Sequence, residues 1–189
     1  MINRGVEENI GHFVEDAEKM KQVSIGLIIN TYDDIFSSFD PRSYLERALS
    51  DDFIQECKRA ARDKEENVEL RLLIPKIKRN LKEEFKIKKR LRNHFHHHLQ
   101  LEEREIKKIK REGATWFGLG TIFILSVSGL RSMGHLNFLL TVLETMLEPA
   151  GWFSFWEGLG KVFIVSKEKS PEYEFYKKMA RAEINFVEY

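Results

Sequence analysis

The sequence predicts an α+β protein: a small cytoplasmic α/β domain, a long helical stalk and a two-helix transmembrane hairpin. Three observations carry that prediction. Two apolar segments, Thr115–Leu130 and Leu136–Gly151, follow one another across a short loop. A basic stretch with helical periodicity precedes them. Two β-branched, leucine-rich runs of strand length, Val23–Ile29 and Val68–Ile74, come earlier still.

Average composition conceals this division. The charged fraction is 32% and the mean hydropathy −0.40, values of a water-soluble chain. Yet Ala114–Val165 carries only Arg131, Glu144, Glu148, Glu157 and Lys161 as charges. The net charge of +1 also averages unlike parts, since lysine and arginine far outnumber glutamate between Lys76 and Arg111. The single cysteine, Cys57, forms no internal disulfide and gives no sign of an oxidising compartment. Met1–Lys21 is polar and has no apolar core of the kind a signal peptide needs.

Residues 1–22 read as an N-terminal arm, weakly helical over Asn9–Met20, and 23–75 as the α/β domain. Within the domain, Asp40-Pro41 is expected to start one short helix and Ser50-Asp51-Asp52 another, giving β-α-α-β. Residues 76–113 are the stalk. Ile77, Leu81, Phe85, Leu91, Phe95, Leu99, Ile106 and Ile109 suggest one apolar face on a helix starting at Pro75 and unbroken to the membrane. Its basic residues are expected to meet anionic lipid headgroups. Nucleic acid is the less favoured partner, because glutamates interleave and no aromatic stacking platform is present.

Residues 114–151 form the hairpin. Thr115–Leu130 has no charge and spans roughly 24 Å as a helix, a little short of a hydrocarbon core. Lys107, Lys108, Lys110 and Arg111 precede it, and Lys161, Lys167 and Lys169 follow the second segment, whereas the loop has Arg131 alone. The positive-inside rule then puts both termini in the cytoplasm and the protein in the inner (cytoplasmic) membrane. Pro149 and Gly151 are expected to interrupt the second helix, leaving 152–169 as an interfacial segment. One long helix to Val165 is the alternative. Trp116, Trp152 and Trp156 would anchor at one interfacial level. Residues 170–189 read as a helix from Ser170-Pro171 and a strand, Ile184–Tyr189, returning to the domain's sheet.

Several residues are candidates for chemistry. Glu144 falls roughly 13 Å into the second helix, where a charge costs about 3 kcal/mol, and Glu148 lies one turn further. With Arg131 assigned to the loop, Glu144 is expected to be protonated, to hydrogen-bond Thr121, Ser126 or Ser128, or to face other copies. Asp33, Asp34, Asp40 and Arg42 follow the first strand as a candidate acidic site, and Asp33 and Asp34 with Asp51 and Asp52 would suit Mg²⁺ or Ca²⁺. Caps and turns are the plainer reading. His94 and His98 share a helix face as two zinc ligands would, but no third ligand lies nearby. A histidine patch is favoured over a metal site. Gly118, Gly120 and Gly129 have the look of helix-packing positions.

TYDDIFSSFDPRSY, SDDF, the Ile-Pro before the basic helix, and EPAGW resemble a group of small uncharacterised membrane proteins of bacteria and archaea, from about Ser24 to the C-terminus. The resemblance implies a membrane location and brings no activity. The function expected is that of a non-enzymatic, membrane-anchored scaffold, sensor or effector, homo-oligomeric and without a cofactor. The alternatives are a small channel using Glu144, or a membrane-bound enzyme using the Asp33/Asp34/Asp40 cluster.

Overall fold

The computed structural model describes residues 24–64, 68–132, 134 and 137–189. The expected N-terminal arm lies outside them. In chain order the elements are β1 (Ser24–Ile28), a 3₁₀ turn (Tyr32–Ile35), α1 (Asp51–Ala61), β2 (Glu69–Ile74), α2 (Leu81–Ser132), α3 (Phe138–Gly160), a π-helical turn (Lys161–Val165), α4 (Ser170–Arg181) and β3 (Glu183–Glu188). The chain divides into two compact units: the residues up to Leu99 with Glu174–Tyr189, and Gln100–Tyr173.

The first unit holds a three-stranded parallel sheet in the order β1-β2-β3. The expected return of the C-terminal strand is therefore present, with Glu69 opposite Glu183 and Ile74 opposite Glu188. Central β2 alternates as a half-buried strand should, sending Leu70, Leu72 and Ile74 into the core. Ile25 and Ile29 join them from the β1 segment, and Ile184 and Phe186 from β3. Three helices close this face, through Phe53, Cys57 and Ala61, through Ile87, Leu91 and Phe95, and through Phe175, Tyr176 and Met179. Burial pushes the Cys57 thiol up to about 12, which makes it an inert core group.

Three local expectations need correction. No helix starts at Asp40-Pro41. Asp40 instead accepts hydrogen bonds from Arg42 and from the Ala48 N–H at 2.7 Å, pinning a loop. Only one turn follows, with Glu46 and Arg47 N–H groups bonded to Ser43 O. α2 begins at Leu81 rather than Pro75, because Asn80 Oδ1 accepts from Lys82 N at 3.0 Å and acts as the cap. Nor does the helix present one apolar face. Ile77, Leu81 and Phe85 are 92%, 75% and 71% exposed, whereas Ile87, Leu91 and Phe95 are fully buried. From Phe85 to Leu91 the helix turns about 240°, so the two sets occupy different sides.

A fourth correction concerns the second unit. α3 runs straight through Pro149 and Gly151. An interior proline removes one backbone bond. Close packing at Gly151, where an added Cβ would sit 3.0 Å from Ile124, holds the helix in place across that defect.

Candidate functional site

Two groups of residues merit attention, one in each unit. In the sheet-bearing unit, Tyr32 OH donates to Glu84 Oε1 at 3.0 Å and accepts from Asn80 N at 2.8 Å. Arg79 holds the same carboxylate with two bonds, of 2.9 and 3.0 Å. The Arg79 guanidinium keeps the Glu84 carboxyl below its ordinary range despite burial, and burial raises the Tyr32 phenol. This network locks the first turn of α2 to the 3₁₀ turn. A lowered pKa stabilises the fold above the ordinary value of 4.5, and that contribution is lost as pH falls through the lowered one. Since Arg79 stays 25% exposed, breaking the pair costs less than for a fully buried one, about 2 kcal/mol. Glu84→Gln is therefore expected to lose about that much at pH 7. Its urea midpoint should also fall less than the parent's between pH 5 and pH 3. Parallel curves for the two proteins would remove Glu84 from the acid response.

The acidic residues after β1 do not gather. Asp34 Oδ2 accepts from the N–H groups of Asn30 at 2.7 Å and Thr31 at 3.1 Å, as a turn residue does. Asp33 pairs with Arg47 at 2.5 Å, and Asp40 with Arg42 at 2.7 Å. The Arg42 guanidinium, helped by the Ala48 N–H, holds the Asp40 carboxyl well below the usual range. Asp51 and Asp52 lie in the first turn of α1. Among the described residues no group of three or more His, Cys, Asp or Glu is placed to hold a metal ion. His94 and His98 have ring centroids 4.2 Å apart, and His98 stacks on Tyr176 at 5.0 Å. Burial, with the neighbouring His98, lowers His94 to about 4, so it is neutral at pH 7.

The second unit is a helical hairpin whose seam is glycine. An added Cβ at Gly120 would lie 2.4 Å from Phe155 N and 2.8 Å from Gly151 O. At Gly158 it would lie 2.4 Å from Phe117 N and 2.6 Å from Gly113 O. The backbones of α2 and α3 thus run in direct contact. Buried positions recur at intervals of seven, at Gly113, Gly120 and Val127 on one helix and at Glu144, Gly151 and Gly158 on the other, with Ser154 buried between the last two; seven is the period of a left-handed supercoil. Of the three glycines singled out from sequence only Gly120 packs; Gly118 and Gly129 face open space. The spacing of seven was the signal for the others.

Glu144 is 8% exposed. The expectation that no cation reaches it is overturned. Arg131 Nε donates to Glu144 Oε1 at 2.7 Å, and its second nitrogen reaches Glu148 at 3.0 Å. Arg131 is still helical, in the last turn of α2, at the level the antiparallel register gives Glu144. The hydroxyls of Thr121 and Ser126 instead bond the carbonyls of Phe117 and Ile122, in their own helix. Around this seam the large apolar side chains point outward. Trp116, Trp152 and Trp156 are 38%, 49% and 62% exposed, and Ile122, Leu125, Leu139, Met146 and Phe153 are exposed as well. Trp152 lies one helical turn, about 6 Å, nearer the hairpin loop than Trp156, so the three do not share one level.

Comparison with family models, curated proteins and solved structures finds no match for this chain. By length and composition, one helix among the described residues, Leu81–Ser132, is apolar enough over part of its length to cross a membrane.

Proposed function

We propose that this protein is a membrane-anchored scaffold or effector, held in the inner membrane by the α2–α3 hairpin and carrying its α/β unit in the cytoplasm. One observation carries the reading: the hairpin is inside-out. Glycine, serine and a paired carboxylate fill its seam, while leucine, isoleucine, phenylalanine and tryptophan face away from it. Monomeric soluble proteins rarely expose an apolar patch of that kind. Helices in lipid associate in this way, through small residues and buried polar pairs. The basic residues Lys107–Arg111 and Lys167–Lys169 flank the hairpin at its open end, which favours that end inside. Because Glu144 is engaged by Arg131 within one chain, the anchor reading is favoured over a pore. The expected homo-oligomer would form by lateral contact of the outer apolar faces.

Membrane fractions and single-cysteine labelling test this. In a chain with Cys57→Ala, Ser132→Cys is expected to react with an impermeant thiol reagent in intact cells and Ser170→Cys only after lysis. The chain should also stay in the pellet after an alkaline carbonate wash. Labelling of Ser170→Cys from outside would reverse the topology, and release into the supernatant would end the membrane reading.

A further inference from the structure

Every helix that closes the three-stranded sheet lies on one face of it. α1 connects β1 to β2, α2 and α4 lie between β2 and β3, and all three share one core with Ile25, Leu70, Leu72, Ile184 and Phe186. Chain chirality explains this. Parallel strands in sequence order, joined by crossovers of one hand, put each connection on the same side. The opposite face is bare. Ile28 of β1, Leu73 of β2 and Val187 of β3 stand in register as an apolar row across it, with Ile28 72% and Val187 37% exposed. In the adjoining row Gly26 exposes backbone with no side chain over it. The polar remainder satisfies itself: the Glu69 carboxylate accepts from Arg71 Nε at 2.7 Å and from Asn185 Nδ2 at 3.0 Å. All-parallel sheets are almost always covered on both faces. Neither crossover supplies the second cover here.

The segment that leads into β1, Met1–Val23, is outside the described residues, and its sequence suits the task. Ile10, Phe13, Val14, Ala17 and Met20 recur at spacings of three and four, the signature of one helix face. Glu8, Glu15, Asp16 and Glu18 fall away from that face. A helix over Asn9–Met20 is about 18 Å long, against about 17 Å for the five residues of β1. Lys21–Val23 joins the two, a link of the usual length for a helix and the strand it feeds. So short a link turns the chain back, and the Ile10–Val14 end then reaches the Ile28 row. Lipid is a poor alternative partner, because helices that lie on anionic bilayers carry lysine and arginine where this one is acidic. We propose that Met1–Val23 covers the open face of the sheet, with Ile10, Phe13 and Val14 on Ile28, Leu73 and Val187. The occupant is this chain's own arm, and the unit becomes a sheet between two helical layers. No part of this depends on the hairpin or on a membrane.

The test uses the full chain with Cys57→Ala and joins a cysteine on the arm to Ile28→Cys through a short bis-methanethiosulfonate reagent. Phe13→Cys is expected to give a link within one chain, read by peptide mass. Glu15→Cys should give none. It is as near in sequence, but two residues turn a helix by about 200° and leave it on the far side. Equal linking at both positions would mean tethering alone and overturn the docking. A link between two chains would give the face to a second copy's arm and overturn the assignment to this chain's own. No link at Phe13→Cys, in a chain whose sheet-bearing unit still melts cooperatively, would overturn it as well. Phe13→Asp in the parent chain is an independent measurement. It is expected to lower the thermal midpoint of the sheet-bearing unit by about 5 °C, with Glu15→Gln neutral. An unshifted midpoint in Phe13→Asp overturns the proposal.

Discussion

Alanine at Gly120 or Gly158 is expected to break the hairpin, with a loss of about 3 kcal/mol for each. In both cases the methyl would meet backbone atoms at 2.4 Å. Backbone cannot rotate aside as a flexible side chain does, so the helices must separate along their length. Overpacking of this kind costs roughly 1–3 kcal/mol where side chains can yield, and these sites belong at or above the upper end. Alanine's better helix propensity, worth up to about 1 kcal/mol, offsets part of it. Gly118→Ala and Gly129→Ala are the controls, because nothing lies within 4 Å of either position. They should be neutral or slightly stabilising. Unfolding in mixed micelles with increasing dodecyl sulfate, followed by tryptophan fluorescence, ranks the four. Equal losses at Gly118 and Gly120 would show that the close backbone approach at the seam does not set hairpin stability.

Removal of Ile184–Tyr189 is expected to unfold the sheet-bearing unit. Ile184 and Phe186 are 3% and 7% exposed, and Phe186 meets Tyr32 edge-on at 5.7 Å. Burial of two such side chains is worth about 4–5 kcal/mol, before the lost pairing of β2 is counted. That approaches the whole stability of an ordinary domain, and the two remaining strands form a marginal sheet. The truncated chain should lose the cooperative thermal transition of this unit and be cleaved quickly by protease. Phe186→Ala should destabilise by about 3 kcal/mol. Val187→Ser, at a position 37% exposed, should change little. An unchanged melting temperature in the truncated protein would mean that β3 merely decorates the sheet.

The strands were legible because each is a run of branched or leucine side chains with alternate burial, and β2 and β3 keep that alternation in the fold. α1 and α4 announced themselves through Ser50-Asp51 and Ser170-Pro171. The start of α2 was misread because proline is a louder signal than asparagine, although Asn80 makes the capping bonds. Pro149 misled for a different reason. Local propensity argued for a break, and contacts with the facing helix at Gly151 outweighed it. The acidic residues after β1 resembled a site because they are close in sequence. In the fold each has its own partner: Arg47, the Asn30 and Thr31 N–H groups, or Arg42. The Arg131–Glu144 pair required the hairpin register, which only the seven-residue glycine spacing discloses.

The parallel order of the sheet has a consequence in time. β3 is hydrogen-bonded to β2, yet residues 75–182 separate them in the chain, and the whole hairpin lies in that interval. A ribosome adding about 5–20 residues per second releases the third strand on the order of ten seconds after the second. During that interval β2 offers an unpaired edge, and the hairpin is made before that edge's partner exists. Completion of the sheet is therefore a late step for this chain. A nascent chain stalled anywhere before Glu183 would present β2 as an open edge to its neighbours.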